Sequence, residues 1–176
     1  MPASKPAWTK EDKQRLADLL KAGNRYEMDA LMRTLKMGNL DISGVDLRRA
    51  GLRGLEVNLF SNFKGADLRK AELVSAQLEE CYFDQANLDG ADLSFASLTG
   101  SSMDGASLRY ADLNGAILDC ASFSGADLEG ANLDGAFIED VTGVDFGLNR
   151  AWVGVPTEHI RVVSPFSSAR SIILHR

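Results

Sequence analysis

The sequence predicts an all-β solenoid, a four-sided β-helix of about five coils with an α-helical hairpin in front and a short tail behind. Two observations carry that prediction. A five-residue period runs without a gap through residues 61–140, and the departures from it recur every twenty residues. A third observation bears on function: the acidic charge is confined to one stretch of the chain.

Divided into fives from Ser61, the chain reads SNFKG, ADLRK, AELVS, AQLEE, CYFDQ and onward to AFIED. Position one is Ala in thirteen of sixteen units, and position three is Leu in eleven, with Phe, Met or Ile elsewhere. A period of five fits neither the 3.6 of a helix nor the 2 of a long alternating strand. Positions one and three lie two apart, the spacing of side chains on one face of a strand. Each unit therefore reads as a short extended side followed by a corner, with the large residue inward and the small one leaving it room. Gly at position five in eight of the sixteen units suits a corner that needs positive φ.

The exceptions set the number of sides. Position three is Phe only at Phe63, Phe83 and Phe123, and Met103 fills the remaining rung of that column. Position one departs from Ala only at Ser61, Cys81 and Ser101, in the same column. Twenty residues, or four units, thus make one coil, and the four large residues become an inward ladder at strand spacing, about 4.8 Å. The pattern extends backwards through LDISG, VDLRR and AGLRG, which point Ile42, Leu47 and Leu52 inward. One extra residue between Leu55 and Ser61 reads as a bulge at a corner. These units give the bounds 40–140 for the repeat, with 1–39 in front and 141–176 behind.

A solenoid leaves open strand edges that need covering. In front, Thr9 followed by Asp12 has the form of a capping box. Leu16, Leu19 and Leu20 then recur at helical spacing and Gly23-Asn24 ends the run. A second run has Tyr26, Leu31, Met32 and Leu35 apolar, so two short helices folded as a hairpin are expected over the first coil. Behind, Gly143 falls at an inward position and the pattern fails after Asp140. The tail has β-like runs at Ile160 to Val163 and around Ile172, Ile173 and Leu174, which either cap the last coil or pair with a second copy of the chain.

These repeats resemble the pentapeptide-repeat family, whose signature is A(D/N)LXX. The resemblance covers about 100 of the 176 residues and implies a right-handed quadrilateral β-helix in a family found mainly in bacteria. Some members, those that protect DNA gyrase from quinolones, are rods whose acidic faces imitate duplex DNA. As the resemblance has it, those relatives carry a small C-terminal dimerisation module and no helical hairpin in front. This chain departs from them in its hairpin and its basic first coils, with Arg48, Arg49, Arg53, Lys64, Arg69 and Lys70.

Catalysis requires a cluster of unlike groups, and the sequence offers no catalytic, cofactor-binding or metal-binding set. Its two histidines, His159 and His175, lie in the tail, and its two cysteines, Cys81 and Cys120, are two coils apart in height and form no disulfide framework. A convex rod also lacks a pocket. No apolar run suits a membrane span and no leader is visible at the N-terminus, which makes the cytoplasm the default expectation.

What remains is the surface. Residues 71–140 hold fourteen acids and a single base, Arg109, a net −13 in a chain whose total is −6. Glu72, Asp92 and Asp112 stack at position two of one side, with Asn132 above them, and Glu79, Asp119 and Glu139 stand at position four of the next. Asp or Asn at position two is suited to capping its own corner, but position four has no such explanation. Ile117 and Phe137 are apolar at outward positions one coil apart. The expected function is a non-catalytic scaffold that offers a rigid acidic rod to a protein partner through Glu72, Asp92, Asp112, Glu79, Asp119, Glu139, Ile117 and Phe137. The alternative is a DNA mimic that binds a topoisomerase or another nucleic-acid enzyme. Neither reading involves a cofactor, direct contact with nucleic acid or a membrane. A homodimer through the tail is compatible with both.

Overall fold

The computed structural model describes residues 8–24, 26, 27, 39–143 and 160–162. Residues 39–143 wind as a solenoid whose sides are joined by four ladders of parallel bridges. The first runs Asp41–Asn62–Tyr82–Ser102–Ser122–Thr142 and the second Asp46–Asp67–Asn87–Ser107–Asp127. The third runs Gly51–Glu72–Asp92–Asp112–Asn132 and the fourth Glu56–Gln77–Ser97–Ile117–Phe137. The lowest step of each ladder spans 21 residues and every later step 20. The extra residue sits where Phe60 takes a left-handed φ of 64°. Ser61 anchors it, donating from Oγ to the Asn58 carbonyl (2.7 Å) and accepting from the Leu40 N–H (3.2 Å). That bond gives a reason for a hydroxyl where most units have Ala.

The inside is apolar apart from the buried serines at position one, Ser61 and Ser101. Phe63, Phe83 and Met103 are fully buried and Phe123 nearly so. The Phe63 and Phe83 rings stack with centroids 4.6 Å apart and planes 13° from parallel. Leu68, Leu88, Leu108 and Leu128 line the next wall, all buried.

Backbone hydrogen bonds close the coil, and the unit 91–95 shows how. Asp92 N–H reaches down to the Ala71 carbonyl (3.0 Å), Leu93 N–H up to Asp112 (2.7 Å) and Phe95 N–H up to Asn114 (2.8 Å). Ala91 N–H bonds back round the preceding corner to Leu88 (2.9 Å). The N–H of position four alone, here Ser94, gets no backbone partner. It is satisfied by a side chain, the Asp92 carboxylate at 3.1 Å.

Helix α1, Lys10–Lys21, precedes the first coil. Thr9 and Asp12 form the capping box. The helix ends in a paired motif, with Gly23 N–H on the Leu20 carbonyl and Asn24 N–H on that of Leu19. Gly23 has φ 66°, a conformation that suits glycine there. Leu16, Ala17 and Leu20 belong to the same buried cluster as the coil interior. Lys13 fastens the helix polar side to Asp41 (2.9 Å) and Ser43 (2.7 Å). The other half of the expected hairpin, with Leu31, Met32 and Leu35, lies outside the described residues. Tyr26, expected on its apolar face, is 80% exposed.

At the far end, Val141 is buried and Thr142 still bridges Ser122, so the winding continues past Asp140. Gly143 has φ 76°, and a Cβ there would lie 2.4 Å from the Ser124 nitrogen, so the inward glycine permits a close approach. Strand β1, Ile138–Val141, pairs in parallel with β2, Ile160–Val162, with an irregularity between Glu139 and Val141. The β-like run at 160 therefore covers part of the last edge. Ile172, Ile173 and Leu174 lie outside the described residues, as do both histidines.

Burial of the stacked leucines sets the expected cost of breaking a wall. Leu108→Ala should lower the free energy of unfolding in urea by about 2–5 kcal/mol; a loss below about 1 kcal/mol would mean that this side chain is not packed inside.

Candidate interaction faces

The position-four N–H explains where Asp and Asn occur. Asp41, Asp46, Asn62, Asp67, Asn87, Asp92, Asp112, Asp127 and Asn132 each accept from the N–H two residues on, at 3.0 to 3.3 Å. Two members of the expected acidic column, Asp92 and Asp112, are thus corner caps. That column is also moderated at both ends. Arg53 lies 3.5 Å from Glu72 at the bottom, and Asn132 donates its amide to Asp112 (3.0 Å) at the top.

Where position two is Ser102, Ser107 or Ser122, a second device takes over. Asp89, at position four of one coil, accepts from Ser107 Oγ (2.5 Å) and from the N–H of Arg109 (3.1 Å) in the coil above. Asp104 does the same for Ser122 Oγ (2.5 Å) and the Ser124 N–H (2.9 Å). Asp84 accepts from Ser102 Oγ and from Lys64 Nζ (2.8 Å). Burial pushes the Asp84 carboxyl up, but these hydrogen bonds outweigh it and hold the group below the usual carboxylate range. Two position-four acids that composition leaves unexplained, Asp89 and Asp104, therefore serve the backbone, and Asp84 serves neighbouring side chains. The sequence carried a signal for them: each Asp lies eighteen residues before a Ser at position two.

The fourth side is different. Its position-two residues are Glu56, Gln77, Ser97, Ile117 and Phe137. None of them is Asp or Asn, and Gln77 turns its amide to the Ser75 carbonyl instead (3.3 Å). Ile117 is 37% exposed and Phe137 54%. Phe95, at the corner leading onto this side, is 61% exposed, and its ring covers Gly115, two residues before Ile117. A Cβ on Gly115 would lie 2.7 Å from that ring. Asp119 and Asp140 stand beside the apolar group along the chain. Glu79 stands on the same side lower down, and Glu139 contributes backbone to β1. Phe60 and Tyr82 form a separate exposed ring pair with centroids 6.3 Å apart, which the repeat pattern had not singled out.

Cys81 is buried and its thiol is pushed up to about 12 by desolvation, while Cys120 is exposed at a corner. Among the described residues, no group of three or more His, Cys, Asp or Glu is placed to hold a metal, and no helix is long and apolar enough to cross a membrane. The surface is not convex everywhere. A cleft of about 430 Å³ opens between the C-terminal end of α1 and the lower second side, lined by Lys21, Asp46, Arg48, Arg49, Arg69 and Lys70. Here the expectation of a rod without pockets fails, because the helix adds a second wall.

A family model described as pentapeptide repeats matches the chain over residues 60–85, 76–110, 86–119 and 106–146. A pentapeptide repeat protein from the Arabidopsis thaliana thylakoid lumen is 34% identical over 58% of this chain and 67% of its own, with a TM-score of 0.47. The chain belongs to the pentapeptide repeat family. Two other pentapeptide repeat proteins are similar. HetL, involved in heterocyst differentiation regulation in the cyanobacterium Nostoc sp. strain PCC 7120, is 32% identical over 57% of this chain, with a TM-score of 0.46. Rfr23 from the cyanobacterium Cyanothece 51142 is 33% identical over 52%, with a TM-score of 0.44. The pentapeptide repeat chain described here spans 52% of HetL and 58% of Rfr23. No curated relative matches it.

The two ways of capping a pentapeptide corner should be interchangeable. Asp104→Ala should cost about 1 kcal/mol in chemical denaturation. Adding Ser122→Asn should restore most of it, since Asn132 already caps its corner in that manner. A double variant no more stable than the single one would contradict the capping role.

Proposed function

We propose that this protein is a non-catalytic scaffold whose fourth side docks a protein partner. The observation that carries this reading is the contrast between sides. On the other three sides position two is largely committed to corner hydrogen bonds, whereas Ile117 and Phe137 cap nothing and stand half-exposed at that position. Exposed apolar side chains standing singly are ordinary, but a contiguous group of them marks a contact surface, and three gather at Phe95, Ile117 and Phe137. The nearby acids Asp119 and Asp140 suit a partner with apolar side chains ringed by Lys or Arg. A rigid stack of coils holds such a patch in place with little entropy left to lose on binding.

The net −13 of residues 71–140 favours a second reading, mimicry of DNA towards a topoisomerase or another nucleic-acid enzyme. It is the weaker one, because Asp84, Asp89, Asp92, Asp104, Asp112 and Asp127 all have backbone or neighbouring side-chain partners. Arg109 also pairs with Asp127 (3.0 Å) and Glu129 (2.6 Å).

Affinity capture from source-cell lysate separates the readings. Ile117→Glu with Phe137→Glu should abolish capture of the main partner while the chain still melts cooperatively, since both side chains are partly exposed. An unchanged bound set would exclude this face. Inhibition or protection of gyrase supercoiling at micromolar protein, retained in that double variant, would favour mimicry instead.

A further inference from the structure

We infer that the cleft between α1 and the lower second side is a binding site for a small anion bearing two or more phosphate groups. Among the described residues its lining has five cations, Lys21, Arg48, Arg49, Arg69 and Lys70, and one carboxylate, Asp46, with Asp67 paired to Arg69 and Arg48 beside it. This concentration occurs in a chain of net charge −6.

The cations divide into two kinds. Arg48 forks onto Asp46 through Nε (3.0 Å) and Nη2 (2.8 Å), and Arg69 onto Asp67 in the same way (2.9 and 2.6 Å). These forks fix both guanidinium planes and leave Nη1 of each as a donor beyond the pair. Asp46 is already shared with Lys21, at 3.5 Å. Hydrogen bonds from Arg48 hold its carboxyl well below the usual range, so it stays charged and keeps the fork in place.

Arg49 and Lys70 make no ion pair among the described residues. They occupy successive corners of one column, with φ of 57° and 59°. Higher in the same column the corners are Gly90, Tyr110 and Gly130, glycine at two of the three, the residue that this backbone prefers. Their backbones stand one rung apart, about 4.8 Å, in a conformation that disfavours both side chains, and two like charges in one column repel. Nothing in the coil's hydrogen bonding requires them, whereas an anion between them would remove the repulsion.

The volume, about 430 Å³, is of small-molecule size, and the cleft is largely open to solvent. Among the described residues the lining holds no aromatic or aliphatic side chain, so recognition there rests on charge and on directed N–H donors. Planar forks beside point-charge ammonium groups fit clustered phosphate oxygens.

The test is calorimetric titration of the full chain with inorganic tripolyphosphate at near-physiological salt. Saturable one-to-one binding below about 1 mM is expected. Arg49→Asn with Lys70→Asn, which keeps residues tolerant of positive φ, should weaken it at least tenfold with an unchanged circular dichroism spectrum. Absence of saturable binding, equal binding by the double variant, or equal competition by sulfate at matched ionic strength would overturn the site. Equal affinity for a tetraglutamate peptide would overturn the phosphate class.

Discussion

Everything in this molecule follows from stacking like on like at twenty-residue intervals. Once Phe63 lies under Phe83 and Leu68 under Leu88, each side of the coil meets the same side one turn later, and the backbone bonds of both are fixed together. Dispersion and burial hold the interior, and the small residue at position one keeps the tube narrow enough for these side chains to fill. Such an interior is indifferent to which polar residues stand outside. Only one backbone group per unit, the N–H of position four, reaches back to the outer residues.

That single orphan donor divides the surface into residues with a structural duty and residues without one. Asp or Asn at position two meets the demand locally. Asp89 and Asp104 meet it from the coil below, in company with a Ser hydroxyl. Much of the acidic charge is therefore part of the folding chemistry. The fourth side has no residue of that kind at position two, and there the sequence turns apolar at Ile117 and Phe137. Function is more readily assigned where the fold makes no demand. The same reasoning marks Arg49 and Lys70, which stand at corners better served by glycine.

The repeat itself was readable from the sequence because each exception to it, Phe63 through Phe123 and Ser61 through Ser101, fell in one column. Helix α1 was readable at both ends, since Thr9, Asp12, Gly23 and Asn24 are local signals whose partners lie within five residues. The insertion before Ser61 showed as a break in phase. What stayed hidden depends on contacts between coils or between elements. A position-four Asp has its partners eighteen and twenty residues later, so only someone pairing it with the Ser above would see its use. The basic cleft needs α1 folded back on the second side, and no spacing within the sequence announces that juxtaposition.

The twenty-residue register can be tested by cross-linking. In a chain with Cys81→Ala and Cys120→Ser, cysteines placed at Ser102 and Ser122 should oxidise to a disulfide, seen by mass spectrometry, because parallel neighbours on one ladder lie within disulfide reach. Cysteines at Ser102 and Phe123 should not, since Phe123 faces the interior. Efficient bridging of the second pair, or failure of the first, would contradict the stacked coil on which the surface assignments stand.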